Sequence, residues 1–408
     1  MKFPMNIVVV LIVLYTLSHG AGGNQKSRPS EEDLELERQL NSLNKPPIKS
    51  FKKNGDIIDC IDIYKQPAFD NPLLKDHKLQ RRPTSVPKGL KLTSGRDLRL
   101  IKRSNQREFE ECPYGTVPFR RIQKEDLIRA KAISYPNRSR PINPTAPLLP
   151  AGMHYAAVTT PNDPSEKIYG AKTSISVYNL TAVQDPQLSQ ALLWLGTGVD
   201  GPYNSLEYGW TVDPQLYGDT QSRTYSLWTA DGLQKTGCYN ALCPGYVQVS
   251  HKRIMGEVNH PVTTFGEDVY AMEFMLFKDP KTSIWWLYEN LGDEANEAVG
   301  YWPKELFPVM SDAATVVQLG GKVYSPSSIP QPAQMGSGAF ITDDFTRTCY
   351  ASNIKFVNSD FHFYKPKDVN MQVVADVPDT YKADYLGDAS KEHPERGYTL
   401  LFGGPAIR

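Results

Sequence analysis

Proline and glycine interrupt almost every apolar stretch of this chain, with 32 and 29 of them among 408 residues. Proline removes a backbone donor and clashes with the preceding helical turn, and glycine weakens a helix interior. Long helices are therefore disfavoured, and short strands joined by turns are favoured. The C-terminal half reads this way. In YAMEFMLF, Tyr270, Met272, Phe274 and Leu276 share one face, and SISVYNL, GYVQVS and IWWLYE are similar runs rich in β-branched and aromatic residues. Lys278 to Ser283, Thr229 to Gly232 and the pair Gly320–Gly321 read as turns between them. The expected class is mainly β, an antiparallel β-sandwich preceded by a small α+β segment.

Residues 1–22 read as a secretory signal peptide, with Lys2 ahead of the apolar run Ile7 to Leu17 and small residues after it. That run is too short for a bilayer core, which takes about 20 residues. No later stretch is apolar enough to span, so the product is expected to be secreted, extracellular or in the cell wall. In an oxidising compartment the five cysteines become potential bridges. Cys238 and Cys243 flank a turn and are expected to pair; Cys60 and Cys112 are a further possible pair. Asn137 and Asn179 begin N-glycosylation sequons.

Lysine plus arginine equals aspartate plus glutamate at 45 each, and a neutral chain lacks the basic excess of a nucleic-acid binder. The zero hides a split. Residues 24–150 hold 26 basic and 16 acidic residues, whereas residues 151–408 hold 18 and 29. One reading is two solvated surfaces that never meet; the other is a basic N-terminal segment docked on an acidic domain. Glu31 to Glu37 should start a short helix, and DIIDCIDIY (Asp56 to Tyr64) alternates like a strand. PINPTAPLLP (141–150) reads as a linker, which divides the chain into 23–150 and 151–408.

No histidine spacing suits a metal, and no cofactor motif is convincing. Gly196 to Gly201 fits GxGxxG, but no helical period follows it to provide an anion site. The densest polar–aromatic segment is NSLEYGWTVDPQLYG, where Glu207 lies near Tyr208, Trp210 and Tyr217. Strand alternation puts Glu207 and Gly209 on one face and Tyr208 and Trp210 on the other. A carboxylate partly desolvated by such rings suits proton transfer, although a solvated strand glutamate reads the same. Gln318 faces opposite Val317 and Leu319 and could donate to an oxyanion, or be structural. Trp302 belongs to a second aromatic segment, either core or stacking platform.

ECPYGTVPFRR, NSLEYGWTVDPQLYGD, WTADGLQKTGCYNALCPGYVQ, GYWPKELF, LGGKV and QMGSG occur in the order seen in neprosin-like plant proteins, which this chain resembles. DIIDCIDIYKQPAFDNPLLKDHKLQ resembles their activation peptide. The resemblance implies a secreted glutamic peptidase made as a zymogen, with an antiparallel β-sandwich as the mature domain. The family's type member cuts after proline in acid, using two glutamates on one concave sheet. Glu207 matches the first of these; at the second, relatives often carry glutamate where this chain has Gln318 or Lys322. Glu207 would then be the general base and Gln318 the oxyanion donor, whereas a lysine beside them would lower the glutamate pKa and weaken it as a proton carrier. Tyr208, Trp210, Tyr217 and Trp302 are the expected substrate contacts. The expected partners are proline-containing peptides or proteins and the chain's own pro-peptide. The alternative is a catalytically inactive extracellular protein of the same fold that binds cell-wall glycan or proline-rich protein. A glycosidase would need a second carboxylate, and none stands out. The chain ends GGPAIR where relatives often carry a further cysteine, which would leave Cys349 as a free thiol or an intermolecular bridge.

Overall fold

The computed structural model describes residues 30–90, 111–133, 151–161, 163–197, 203–291, 294–366 and 371–405. The signal-like residues 1–22, Asn137, Pro150 and the last four residues of the GxGxxG stretch lie outside them.

The N-terminal segment holds α1 (Glu31–Leu43), β1 (Lys49–Lys53), β2 (Asp56–Asp62), β3 (Thr116–Arg120) and α2 (Lys124–Ala132). Ser30 caps α1 by accepting from the Asp33 amide, and Glu31, Glu32 and Asp33 complement the positive end of the helix dipole. The expected helix and the expected strand at Asp56 are both present. The three strands form one antiparallel sheet, and Cys60 is bonded to Cys112.

The sandwich begins with β4 (Met153–Thr159), β5 (Gly170–Ser176), β6 (Leu188–Gly196), β7 (Ser205–Val212), the four-residue α3 (Pro214–Tyr217), β8 (Arg223–Thr229) and β9 (Cys238–Tyr239). It continues with β10 (Val247–Gln248), β11 (Ala271–Lys278), β12 (Trp285–Leu291), β13 (Glu294–Trp302) and β14 (Val316–Tyr324). The last strands are β15 (Cys349–Val357), β16 (Phe363–Tyr364), β17 (Gln372–Ala375), β18 (Lys382–Asp388) and β19 (Tyr398–Gly403). A front sheet of seven strands runs β17-β4-β14-β6-β7-β8-β9. A back sheet of nine runs β10-β13-β12-β11-β5-β15-β19-β18, with β16 paired to β15. The class is mainly β and antiparallel, as expected.

The core lies between these sheets. Leu193, Leu206 and Trp210 from the front meet Phe274, Leu276 and Trp285 from the back in one buried cluster. The Trp210 indole donates to the Ser176 carbonyl at 2.9 Å, so one side chain bridges the layers. The alternation read in YAMEFMLF holds, with Met272, Phe274 and Leu276 facing the core. Asp279 closes the turn after β11, and Thr229 opens the one after β8. Gly320–Gly321 is no turn. It lies inside β14, where Gly320 has φ +140° and an added Cβ would stand 2.5 Å from the Ala156 carbonyl on β4. Glycine there lets neighbouring strands approach closely rather than reversing the chain.

Candidate active site

Glu207, Trp194 and Gln318 form a cross-strand row on β7, β6 and β14. They share the outer face of the front sheet because directly paired residues point to the same side. With strands about 4.8 Å apart, the outer backbones of the row stand about 10 Å apart. Tyr155, Leu192, Trp194, Glu207, Gln318 and Lys322 line a small concavity. Lys322 lies four residues beyond Gln318 on the same strand and face. Its ammonium stands 3.1 Å from Glu207 Oε2. The Tyr225 hydroxyl donates to the same oxygen at 3.3 Å. Gly209, between Leu192 and Tyr225 in the register, explains part of this crowding: a Cβ there would meet the Ala191 carbonyl at 2.1 Å.

The floor is enclosed. Glu207 is 0% exposed, Lys322 4% and Gln318 5%. A carboxylate cut off from water requires compensation, and the ammonium and phenol provide it. Chemically, the arrangement offers a proton acceptor with a cation and an amide on the same surface. Among the described residues no group of three histidine, cysteine or acidic side chains is placed to hold a metal. No described helix is long and apolar enough to cross a membrane.

The expected stacking residues lie elsewhere. Tyr208, Trp210 and Trp302 are 1%, 0% and 0% exposed and belong to the core between the sheets, so no substrate touches them there. The Tyr208 hydroxyl instead donates to Glu289 across the core, and burial beside that carboxylate pushes the phenol well up. Tyr217 is also removed from the concavity. It accepts from the Asn240 amide at 2.6 Å and lies under the Arg120 and Arg223 guanidinium groups. The rings that do flank Glu207 are Trp194 and Tyr225. Alternation within β7 had already separated Tyr208 and Trp210 from Glu207; only the register supplies their replacements.

Cys238 and Cys243 are bonded, and Cys349 is a free thiol. Cys349 is completely buried, and burial pushes the thiol up to about 12, so an intermolecular bridge has no way to form in the folded state.

Residues 185–405 match the neprosin family, and residues 48–159 match the neprosin activation peptide. Three solved structures show a looser likeness. Scytalido-glutamic peptidase with a peptide-based transition state analog is 9% identical over 62% of this chain and 98% of its own, with a TM-score of 0.33. SCP-B, a member of the Eqolisin family of peptidases, in complex with the tripeptide Ala-Ile-His, is 10% identical over the same shares, with a TM-score of 0.31. A β-porphyranase from the human gut bacterium Bacteroides plebeius is 8% identical over 41% of this chain and 57% of its own, with a TM-score of 0.20. The sequence matches define a class, that of neprosin domains preceded by a neprosin activation peptide. The chain belongs to the neprosin family, whose match alone spans more than half of it.

Proposed function

We propose that the protein is the secreted zymogen of a glutamic endopeptidase that cleaves after proline, at acid pH. The observation that carries this reading is the placement of Glu207 on the outer face of the front sheet, in one row with Gln318 and ion-paired to Lys322. Glu207 takes a proton from the attacking water as that oxygen adds to the carbonyl carbon. The Gln318 amide and the Lys322 ammonium are the donors at hand for the oxyanion. Glu207 then returns the proton to the leaving amine as the C–N bond breaks. Cleavage after proline rests on the resemblance to the family's type member. Secretion rests on residues 1–22, and glycosylation at Asn179 on a sequon that is exposed in the fold.

The test is cleavage of a proline-containing peptide by the processed protein, with products read by mass. Glu207→Gln, which keeps the shape, should lower kcat/KM by about 10²–10⁴. Equal cleavage by that variant would sink the mechanism. A second reading, a catalytically inactive binding protein of the extracellular space, is favoured by the enclosed Glu207–Lys322 pair, in which the carboxylate is 0% exposed and one of its oxygens already holds the ammonium. It predicts no cleavage by the wild type, with retention of immobilised proline-rich protein or cell-wall glycan.

A further inference from the structure

Among the described residues, the N-terminal segment does not enter the concavity. No residue of 30–90 or 111–133 lines it. While most of the described segment docks against residues 216–257, residues 63–90 are stitched to the outer face of the back sheet. There Met275, Phe277, Trp286, Tyr288 and Tyr301 form a buried cluster with Ala68, against which Phe69, Leu79 and Leu90 pack. Leu74 goes deeper and joins the main core together with Trp302 and Leu306.

The polar contacts are equally specific. Gln66 is 0% exposed, and its amide copies a strand backbone. It accepts from the Gln248 amide at 2.7 Å and donates to the Gln248 carbonyl at 3.0 Å, and so completes the edge at β10. The Thr84 hydroxyl donates to the buried Asp279 at 2.7 Å, and the Lys88 amide to the Phe361 carbonyl at 2.7 Å. Tyr301 meets His77 Nε2 at 2.8 Å and accepts from the Gln80 amide at 3.1 Å. Removing the segment would bare an aromatic face and strip partners from Gln248, Asp279 and Tyr301 together.

We infer that residues 63–90 are a lasting cover of the back sheet, so that processing cuts the chain without expelling its N-terminal segment. The working form is then a complex of two pieces. This rests on the proposed processing of a zymogen. The cut must fall before Met153, because β4 pairs with β14 along seven residues from Gln318 to Tyr324 beside the site. The bond between Cys60 and Cys112 keeps even a cut within 91–110 from freeing residues 30–90 from 111–133.

Retention can be measured without any peptidase activity. In the full-length chain, residues 141–147 are replaced by the recognition sequence of a site-specific protease, cut at pH 7.5 and passed over a sizing column. The two pieces are expected to elute together at the mass of the uncut chain. Separate elution of the N-terminal piece would overturn the inference, whether or not Glu207 is catalytic. The double variant Gln66→Ala, Thr84→Val alters only the cover and should speed dissociation of the cut complex roughly tenfold or more. An unchanged dissociation rate would show that these contacts do not hold the segment, and the inference would fall.

Discussion

Part of the outer face of each large sheet is closed to water, but by opposite means. On the front sheet the enclosed groups are polar and belong to the sandwich itself: Glu207, Lys322 and Gln318, packed among Trp194 and Tyr225. On the back sheet they are aromatic, and the lid over Trp286 and Tyr301 comes from far away in the chain. Apolar area that must be hidden is satisfied by any well-fitted cover, and residues 63–90 are such a cover. A buried charge is satisfied only by a partner at bonding distance, so the front sheet carries its own cation. The back face therefore contributes stability and holds residues 63–90, while the front face keeps a buried ion pair at a cost in stability.

The contrast in charge between the halves plays little part in this docking. Lys53 pairs with Glu257 in the expected sense, but Asp56 pairs with Arg223 at 2.7 Å in the reverse sense. Glu111 likewise faces Lys252 at 3.8 Å. The ion pairs across the junction run both ways.

Four measurements would sharpen or break this comparison. Trp286→Ala empties the middle of the covered face, where the indole lies 4.6 Å from the Tyr301 ring. It should cost about 4 kcal/mol in denaturant unfolding, and a loss below about 1 kcal/mol would mean the cover hides little. Lys322→Ala strands the Glu207 carboxylate and should cost about 3 kcal/mol, whereas the pair Glu207→Leu, Lys322→Met should recover most of that. If the double variant is no more stable than the single one, the ion pair is not what makes the front face expensive. Gly320→Ala forces a side chain against β4 at a positive φ and should cost about 1–3 kcal/mol. Its loss should appear first as weakened hydrogen-exchange protection in β4 and β14.

The smallest effect concerns pH. Burial holds His77 below its ordinary value of 6.5, against the opposing pull of Glu305 at 3.9 Å, with the Tyr301 hydroxyl as its other polar neighbour. The docked imidazole therefore takes up a proton less readily than the released one. Its contribution to docking is complete above about 6.5 and is lost as the pH falls below that. The cut complex should dissociate faster at pH 5 than at pH 7.5, and His77→Gln should flatten that dependence. An identical pH profile in the variant would assign acid loosening to the carboxylates at the junction instead.

Much was legible in the sequence because it is local. A period of two places Glu207 opposite Tyr208 and Gln318 opposite Leu319 whatever the fold. Capping residues mark the start of α1, and only four intervening positions bring Cys238 and Cys243 within reach of each other. Alternation does not say which face is the core when both are covered. All nine residues of β6 and all eight of β7 are buried, which is why Tyr208 and Trp210 read as substrate contacts and proved to be core. Tertiary structure alone decided that Lys322 reaches Glu207, that Trp194 and Tyr225 surround it, and that residues 63–90 close the back sheet. Each of these depends on register and packing between segments distant in the chain, and no short-range pattern carries that information.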